Sequence, residues 1–145
     1  MRVAVIAHSG KTMGGGLVEL RRLLGAHGVG DPIWLEVPKS RKAPKRVRQA
    51  LEEGAELVFV WGGDGMVQRC AHVLAGSDAT MAILPAGTAN LFASNLGIPG
   101  DLEEAVDAGF RGGTRTLDVG RMNGERFCVM AGAGFDARMI RDADG

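Results

Sequence analysis

The stretch Phe59–Cys70, FVWGGDGMVQRC, decides the fold class of this 145-residue chain. An apolar run ends at Trp61, and three glycines and one aspartate fill the next four positions. A glycine inside an element costs about 0.5–1 kcal/mol relative to alanine, so a cluster of glycines indicates a backbone requirement that other residues cannot meet. The run before the cluster is typical of a strand buried on both faces of a parallel sheet. The stretch therefore predicts a buried strand that turns tightly into a helix.

The same order of strand and helix repeats on both sides of this stretch. The apolar runs predict four strands, at Val3–Ala7, Ile33–Val37, Leu57–Trp61 and Met81–Pro85. Apolar residues at helical spacing, with glycine or proline near the helix ends, predict helices near residues 17–28, 44–54, 66–76 and 89–97. Four such units in a row predict right-handed crossovers and an α/β fold, an open Rossmann-like parallel sheet with helices on both faces.

The pattern changes after residue 100. Asp101 and an acidic first turn predict a capped helix over residues 101–110. Two β-like runs then flank Asn123-Gly124, a strong signal for a tight antiparallel hairpin. The segment 132–140 is interpreted as a junction between a strand and a helix. Because the chain ends soon after antiparallel strands begin, we expect residues 1–145 to be one domain of a longer protein.

Composition restricts the classes of function. Seventeen basic and seventeen acidic residues cancel, which argues against a nucleic-acid partner. The two cysteines, Cys70 and Cys128, lie in apolar contexts without metal-ligand spacing, so we expect buried thiols in a reducing cytoplasm. No segment approaches the roughly 18 apolar residues of a membrane span, and the N-terminus resembles a strand more than a signal peptide. The predicted protein is cytoplasmic, able to contact the inner membrane surface, and its sequence does not indicate an oligomeric state.

Two loops are predicted to form a binding site for an anion. Gly62–Gly65 follows the third strand and Pro85–Asn90 follows the fourth, at the sheet edge where open α/β folds bind ligands. Each loop feeds a helix N-terminus, whose N–H groups and positive dipole end suit phosphate. Asp64 would repel phosphate unless a cation lay between them, so its expected role is to help hold Mg²⁺ or to bind a hydroxyl about to be phosphorylated. Neither loop has a Walker A or GxGxxG sequence.

This arrangement resembles the catalytic domain of the diacylglycerol kinase family, which includes bacterial lipid kinases and the sphingosine and ceramide kinases. The similarity rests on GGDG at 62–65, LPAGTANLFASNLGIP at 84–99 and LDVGRMNGERFCVMAGAGFDA at 117–137. The resemblance implies transfer of the γ-phosphoryl of ATP to a lipid hydroxyl, with Mg²⁺ as cofactor. It also implies a C-terminal β-sandwich domain, absent from these residues, that supplies the general base and much of the acceptor pocket.

The resemblance assigns roles to residues of both loops. Asp64 is the expected catalytic residue, and Asp64 and Asp118 are expected near the metal. The expected nucleotide contacts are Gly62, Gly63, Asp64, Gly65, Gly87, Thr88 and Asn90, together with Ser9 and Lys11 in the loop after the first strand. Two positions and one stretch depart from the family pattern: Met66 replaces the usual threonine, Leu91 replaces a frequent aspartate, and AHSGKTMGGG replaces an asparagine-proline opening.

Two other functions stay open at this point. NAD kinases also carry GGDG, and in such an enzyme Asp64 would bind the ribose 2′-hydroxyl. A regulatory module that binds nucleotide without transfer is suggested by Met66 and Leu91. Six cations between Lys39 and Arg48, with no acid among them, form either a solvated surface, a phosphate contact or a site for an anionic lipid surface. Residues 1–145 alone are expected to bind nucleotide weakly and to catalyse nothing.

Overall fold

The computed structural model of the chain describes residues 1–75, 77–87 and 98–111, and the backbone of three further strands at 119–122, 125–128 and 134–136. The strands are β1 (Val3–His8), β2 (Ile33–Val37), β3 (Leu57–Gly62), β4 (Thr80–Pro85), β5 (Val119–Met122), β6 (Glu125–Cys128) and β7 (Gly134–Asp136). The α-helices are α1 (Gly16–Ala26), α2 (Ala43–Glu52), α3 (Asp64–Leu74) and α4 (Leu102–Arg111), and a 3₁₀ helix covers Ser40–Lys42.

Five strands form one sheet in the order β2-β1-β3-β4-β7. β1 to β4 are parallel, and the register places Ala7 beside Trp61 and Gly62 beside Pro85. β7 runs antiparallel to β4, with Gly134 opposite Ala82. β5 and β6 form a separate antiparallel pair in which Met122 lies opposite Glu125. The parallel sheet and the C-terminal hairpin strands are thus both confirmed.

The core is divided between the two faces of the sheet. Alternate residues of the central strands point to opposite faces, so Val58 and Val60 of β3 join one apolar cluster while Phe59 and Trp61 join the other. α2 and α3 cover the first face, and α1 and α4 cover the second. Because both faces are covered, β1 and β3 are apolar along nearly their whole length.

Several details differ from the sequence-based predictions. α3 begins at Asp64, two residues earlier than expected, and the 3₁₀ helix before α2 was not predicted. Asp101 caps α4 as predicted, because its Oδ2 accepts a hydrogen bond from the Glu104 amide at 3.0 Å. β7 falls inside the segment predicted to be a strand-to-helix junction and adds an antiparallel edge strand. The helix predicted at 89–97 lies outside the described residues.

Gly109 allows α4 to approach the sheet closely. A Cβ at this position would lie 2.5 Å from Cε1 of the buried Phe59 ring. We therefore expect Gly109→Ala to lower the free energy of unfolding by about 1–3 kcal/mol, measured by urea denaturation. Gly25→Ala in α1 is the matched control, because no described atom lies within 4 Å of its added Cβ. The control should raise stability by about 0.5–1 kcal/mol. Equal stability of the two variants would contradict this packing.

Cys70 is a buried thiol, as predicted, whereas the Cys128 side chain lies outside the described part of the chain. Burial raises the pKa of Cys70 to about 12, so the reactive thiolate is disfavoured in the folded protein. In a Cys128→Ser variant we expect no reaction with a thiol reagent at pH 8 until denaturant is added. Because the unfolded thiol ionises at lower pH, Cys70 should also make stability fall as pH rises from about 9 towards 12. Rapid labelling of the native protein would contradict the burial.

Candidate functional site

The carboxyl ends of β1 and β3 mark the point where the chain reverses its direction across the sheet. From β1 the chain passes outward to β2, and from β2 it returns over β1 to β3. The helices that follow β1 and β3, α1 and α3, lie on opposite faces of the sheet. The loops after β1 and β3 therefore diverge and leave a crevice between them, the usual ligand position in open α/β sheets.

A cavity of about 310 Å³ occupies this edge of the sheet. Its lining residues follow the carboxyl ends of all four parallel strands: Lys11 after β1, Ser40 after β2, Gly63, Asp64, Gly65 and Met66 after β3, and Gly87 after β4. One cation, one carboxylate and one hydroxyl thus line the same cavity as a helix N-terminus. Such a combination suits a ligand that carries phosphate.

β3 passes into α3 through a single residue. Gly62 ends the strand, Gly63 is the N-cap and Asp64 is already helical. A Cβ on Gly62 would lie 2.8 Å from the Cβ of Met66, a separation that real Cβ atoms essentially never show. Met66 is fully buried, so its side chain cannot move aside without loss of packing. Gly62 is therefore required by the close approach of α3 to its own strand.

The N-terminus of α3 faces the cavity. Its first helical hydrogen bond joins the Val67 amide to the Gly63 carbonyl at 3.0 Å, so the amides before Val67 have no acceptor within the helix. Gly65 differs from Gly62, because among the described residues nothing lies within 4 Å of an added Cβ. Packing of the described residues does not require glycine at position 65. Because position 65 carries no Cβ, no side chain of that residue blocks an anion from these amides.

The loop after β4 is joined to the end of β3. The Ala86 amide donates to the Gly62 carbonyl at 3.2 Å, which keeps the two loops side by side. Gly87 then adopts φ +135°, a conformation that side chains rarely permit. Thr88 and Asn90 come directly afterwards but lie outside the described residues. Their predicted nucleotide contacts stay predictions.

The structure brings together five of the residues predicted for the site: Lys11, Gly63, Asp64, Gly65 and Gly87. Gly62 is the last residue of β3 and does not line the cavity. Ser9 does not line it either, and its hydroxyl donates to the Val37 carbonyl at 3.2 Å. Asp118, the second predicted metal ligand, lies outside the described residues.

Ser40 and Met66 line the cavity but were not among the predicted site residues. Ser40 could have been found from its position, because it follows the carboxyl end of a predicted parallel strand, as the two glycine loops do. In the sequence, Met66 is a departure from the family pattern and carries no predicted contact with a ligand. Met66 is buried and lies close to Gly62.

Comparison with known proteins agrees with this geometry. The sequence profile described as "Diacylglycerol kinase catalytic domain" matches residues 2–122. The chain belongs to this family. It is 40% identical over 100 residues to a Pseudomonas aeruginosa protein named "Probable lipid kinase YegS-like", covering 67% of this chain and 32% of that protein. It is 38% identical over 94 residues to the diacylglycerol kinase of Mycobacterium tuberculosis, covering 61% of this chain and 30% of the relative.

The fold comparison supports the same family. A crystal structure titled as a diacylglycerol kinase from Bacillus anthracis superimposes with a TM-score of 0.67 at 27% identity. The match covers 86% of this chain and 44% of the crystallised chain. The diacylglycerol kinase domain described here therefore spans about a third of the length of the two curated relatives and less than half of the solved one.

The donor set of the cavity fits Mg²⁺ bound together with a nucleotide. Among residues 1–75, 77–87 and 98–111, no three His, Cys, Asp or Glu residues are grouped as a metal cage. Mg²⁺ commonly needs only one or two protein carboxylates, because substrate phosphates and water complete its octahedron. Asp64 supplies one such carboxylate at the cavity wall.

The described part of this diacylglycerol kinase domain also contains no helix long and apolar enough to cross a bilayer.

Proposed function

We propose that the complete protein is an ATP-dependent lipid kinase and that residues 1–145 form its nucleotide-binding catalytic domain. The observation that carries the proposal is the cavity at the carboxyl ends of β1 to β4, lined by Lys11, Asp64 and the N-terminus of α3. Family membership supports the reaction class, and the names of the relatives support a lipid acceptor.

In this proposal, several parts of the cavity contact the phosphates of the nucleotide. The first amides of α3 donate hydrogen bonds to the β- and γ-phosphate oxygens, and the absence of a side chain at Gly65 permits their approach. Lys11 adds a positive charge from the opposite side of the crevice. Gly87, with Thr88 and Asn90 after it, places a second loop beside the nucleotide. Phosphoryl transfer depends mainly on such positioning and charge neutralisation.

Asp64 supplies the negative charge of the site. Its carboxylate would hold Mg²⁺, with Asp118 as the proposed second ligand. When bound, this ion neutralises the charge that develops on the transferred phosphoryl group. Alternatively, the Asp64 carboxylate orients the acceptor hydroxyl, and either role makes it essential to transfer.

The rest of the active site is proposed to come from a further domain of the same chain. The limited coverage of the relatives leaves room for a C-terminal β-sandwich that supplies the general base and the far wall of the cleft. Residues 1–145 alone should then bind ATP weakly and show no turnover. Robust lipid phosphorylation by residues 1–145 alone would contradict the proposal that a further domain supplies the rest of the active site.

The direct test offers two acceptors to the complete protein. γ-Labelled ATP and Mg²⁺ are incubated with a mixed lipid extract and with NAD in parallel reactions. We expect label in the organic phase, where the chromatographic mobility of the product identifies the lipid. Label on NAD would replace the proposal with NAD kinase. ATP binding without transfer to either acceptor would replace it with a nucleotide-binding regulatory module.

A surface beside the cavity suits transient contact with an anionic membrane. We name residues 39–48 the basic segment; its six exposed cations are Lys39, Arg41, Lys42, Lys45, Arg46 and Arg48. No ion pair of the described residues involves this segment. The 3₁₀ helix at its start also lines the cavity through Ser40, so the cations flank the site that the lipid must reach.

Removal of two of these charges should weaken vesicle binding. Each surface charge contributes about 1 kcal/mol to binding at an anionic bilayer, so Lys42→Gln with Lys45→Gln should lower partitioning onto phosphatidylserine vesicles about 30-fold. The control removes the same charge from the opposite face of the sheet by Arg21→Gln with Arg22→Gln. Sedimentation with vesicles measures both pairs. Equal partitioning of the two pairs would exclude the basic segment as the contact.

A further inference from the structure

The loop after β1 is anchored on one side to β2 and to its own strand. The Ser9 amide and hydroxyl both donate to the Val37 carbonyl, at 2.9 and 3.2 Å. The Gly10 amide donates to Nδ1 of His8 at 3.0 Å, and the Lys11 amide donates to the His8 carbonyl at 3.1 Å. These bonds hold the loop against β1 and β2. The contact between the loop and β3 is made by a different residue.

Trp61 supplies that contact. Its Nε1–H donates to the Lys11 carbonyl at 3.0 Å and so joins β3 to the loop after β1. Trp61 lies next to Ala7 in the register and immediately before the glycine turn, and its side chain is fully buried. Because a buried indole N–H has no water to replace a lost partner, this hydrogen bond holds the loop firmly.

The bond acts on a residue that lines the cavity. Lys11 has a flexible side chain with four rotatable carbon–carbon bonds, so the position of its ammonium depends on where its backbone is held. The backbone of Lys11 is fixed by His8 from β1 and by Trp61 from β3. Trp61 also continues directly into Gly62 and Gly63, so one residue ties the lysine loop to the loop that presents the helix amides.

We propose that Trp61 is a positioning residue for nucleotide binding: its indole N–H holds the Lys11 loop at the distance from α3 at which the lysine reaches bound phosphate. This inference rests on the proposed nucleotide site. Phenylalanine would supply nearly the same apolar contact with the core cluster, so the N–H group is the feature that distinguishes tryptophan here.

The test compares Trp61→Phe, Lys11→Ala and the double variant of the complete protein. Calorimetric titration gives the Kd for ATP, and steady-state kinetics gives KM for ATP and for the lipid separately. We expect Trp61→Phe to raise the Kd and KM for ATP about tenfold and to leave the lipid KM unchanged. In the Lys11→Ala background, Trp61→Phe should have no further effect, because the group that it positions is gone.

Trp34→Phe is the matched control. Its indole N–H donates to Oε2 of Glu36 at 2.8 Å on the edge strand β2, and Trp34 does not line the cavity. ATP affinity should therefore be unchanged in this variant. Among residues 1–145 it also leaves Trp61 as the single tryptophan, so the fluorescence change of this domain on ATP addition reports on Trp61, with a midpoint equal to the Kd.

Three results would overturn the role of Trp61. They are wild-type ATP affinity in Trp61→Phe, an equal loss of affinity in the wild-type and Lys11→Ala backgrounds, and an unchanged Trp61 signal on saturation with ATP. If Trp61→Phe does not fold, the fluorescence titration decides alone. Failure of the wild-type protein to bind ATP would instead refute the nucleotide site itself, so the two failures are distinguishable.

Discussion

Asp64→Asn in the complete protein is expected to lower the rate of phosphoryl transfer about 1000-fold while the domain stays folded. The substitution keeps the shape of the side chain and removes the charge from the wall of the cavity. Asparagine is also well tolerated at helix N-termini, and removal of the charge there costs about 0.3–1 kcal/mol of stabilisation by the helix dipole. Labelled-phosphate transfer measures the first effect and thermal unfolding the second.

Asp101→Asn is the matched control for this experiment. Asp101 also lies at a helix N-terminus, where its carboxylate caps α4, but it does not line the cavity. The same change from carboxylate to amide should leave transfer within about twofold of wild type, because asparagine caps almost as well. Activity retained by Asp64→Asn, or lost equally in both variants, would refute the role of Asp64.

Gly65→Ala should raise the stability of the domain and lower its affinity for ATP. Among the described residues nothing lies within 4 Å of an added Cβ, so the helix should gain about 0.5–1 kcal/mol from the better propensity of alanine. The same methyl group would occupy the space through which phosphate approaches the first amides of α3. We expect the Kd for ATP to rise about 100-fold, which corresponds to ~2.7 kcal/mol of binding free energy. Calorimetric titration and urea unfolding measure the two effects on one variant.

Gly25→Ala again provides the control, since it is a helical glycine with open space around its added Cβ and lies away from the cavity. It should show the gain in stability without the loss of ATP affinity. Unchanged ATP affinity in Gly65→Ala would show that phosphate does not lie against this turn. Loss of stability would show that position 65 packs against the protein.

Much of the fold could be predicted because its signals are local. The apolar runs of β1 to β4 are short, β-branched and separated by helical periods, so strand and helix alternate without ambiguity. The Asp101 cap and the two strands around Asn123-Gly124 depend only on neighbouring residues. β7 could not be predicted in the same way, because its pairing partner β4 lies about 50 residues earlier in the chain.

The candidate site was predictable where glycines required an explanation. Gly63, Asp64, Gly65 and Gly87 form clusters that packing alone does not account for in the sequence. Ser40 follows a predicted strand, but its place at the cavity also depends on β2 lying beside β1, which is a property of the sheet order. The bond from Trp61 to Lys11 joins residues 50 positions apart, and no local pattern indicates it.

The antiparallel strand β7 makes completion of the sheet depend on residues that come after the hairpin. Before residues 134–136 have been synthesised, the outer backbone groups of Thr80–Ala82 lack the partners that β7 provides. An unpaired strand edge is a template for association with another chain. A shortened version of this domain that ends at Arg111 would therefore retain the cavity-lining residues but expose an aggregation-prone edge, so residue 136 is the earliest sensible boundary for a soluble expression fragment.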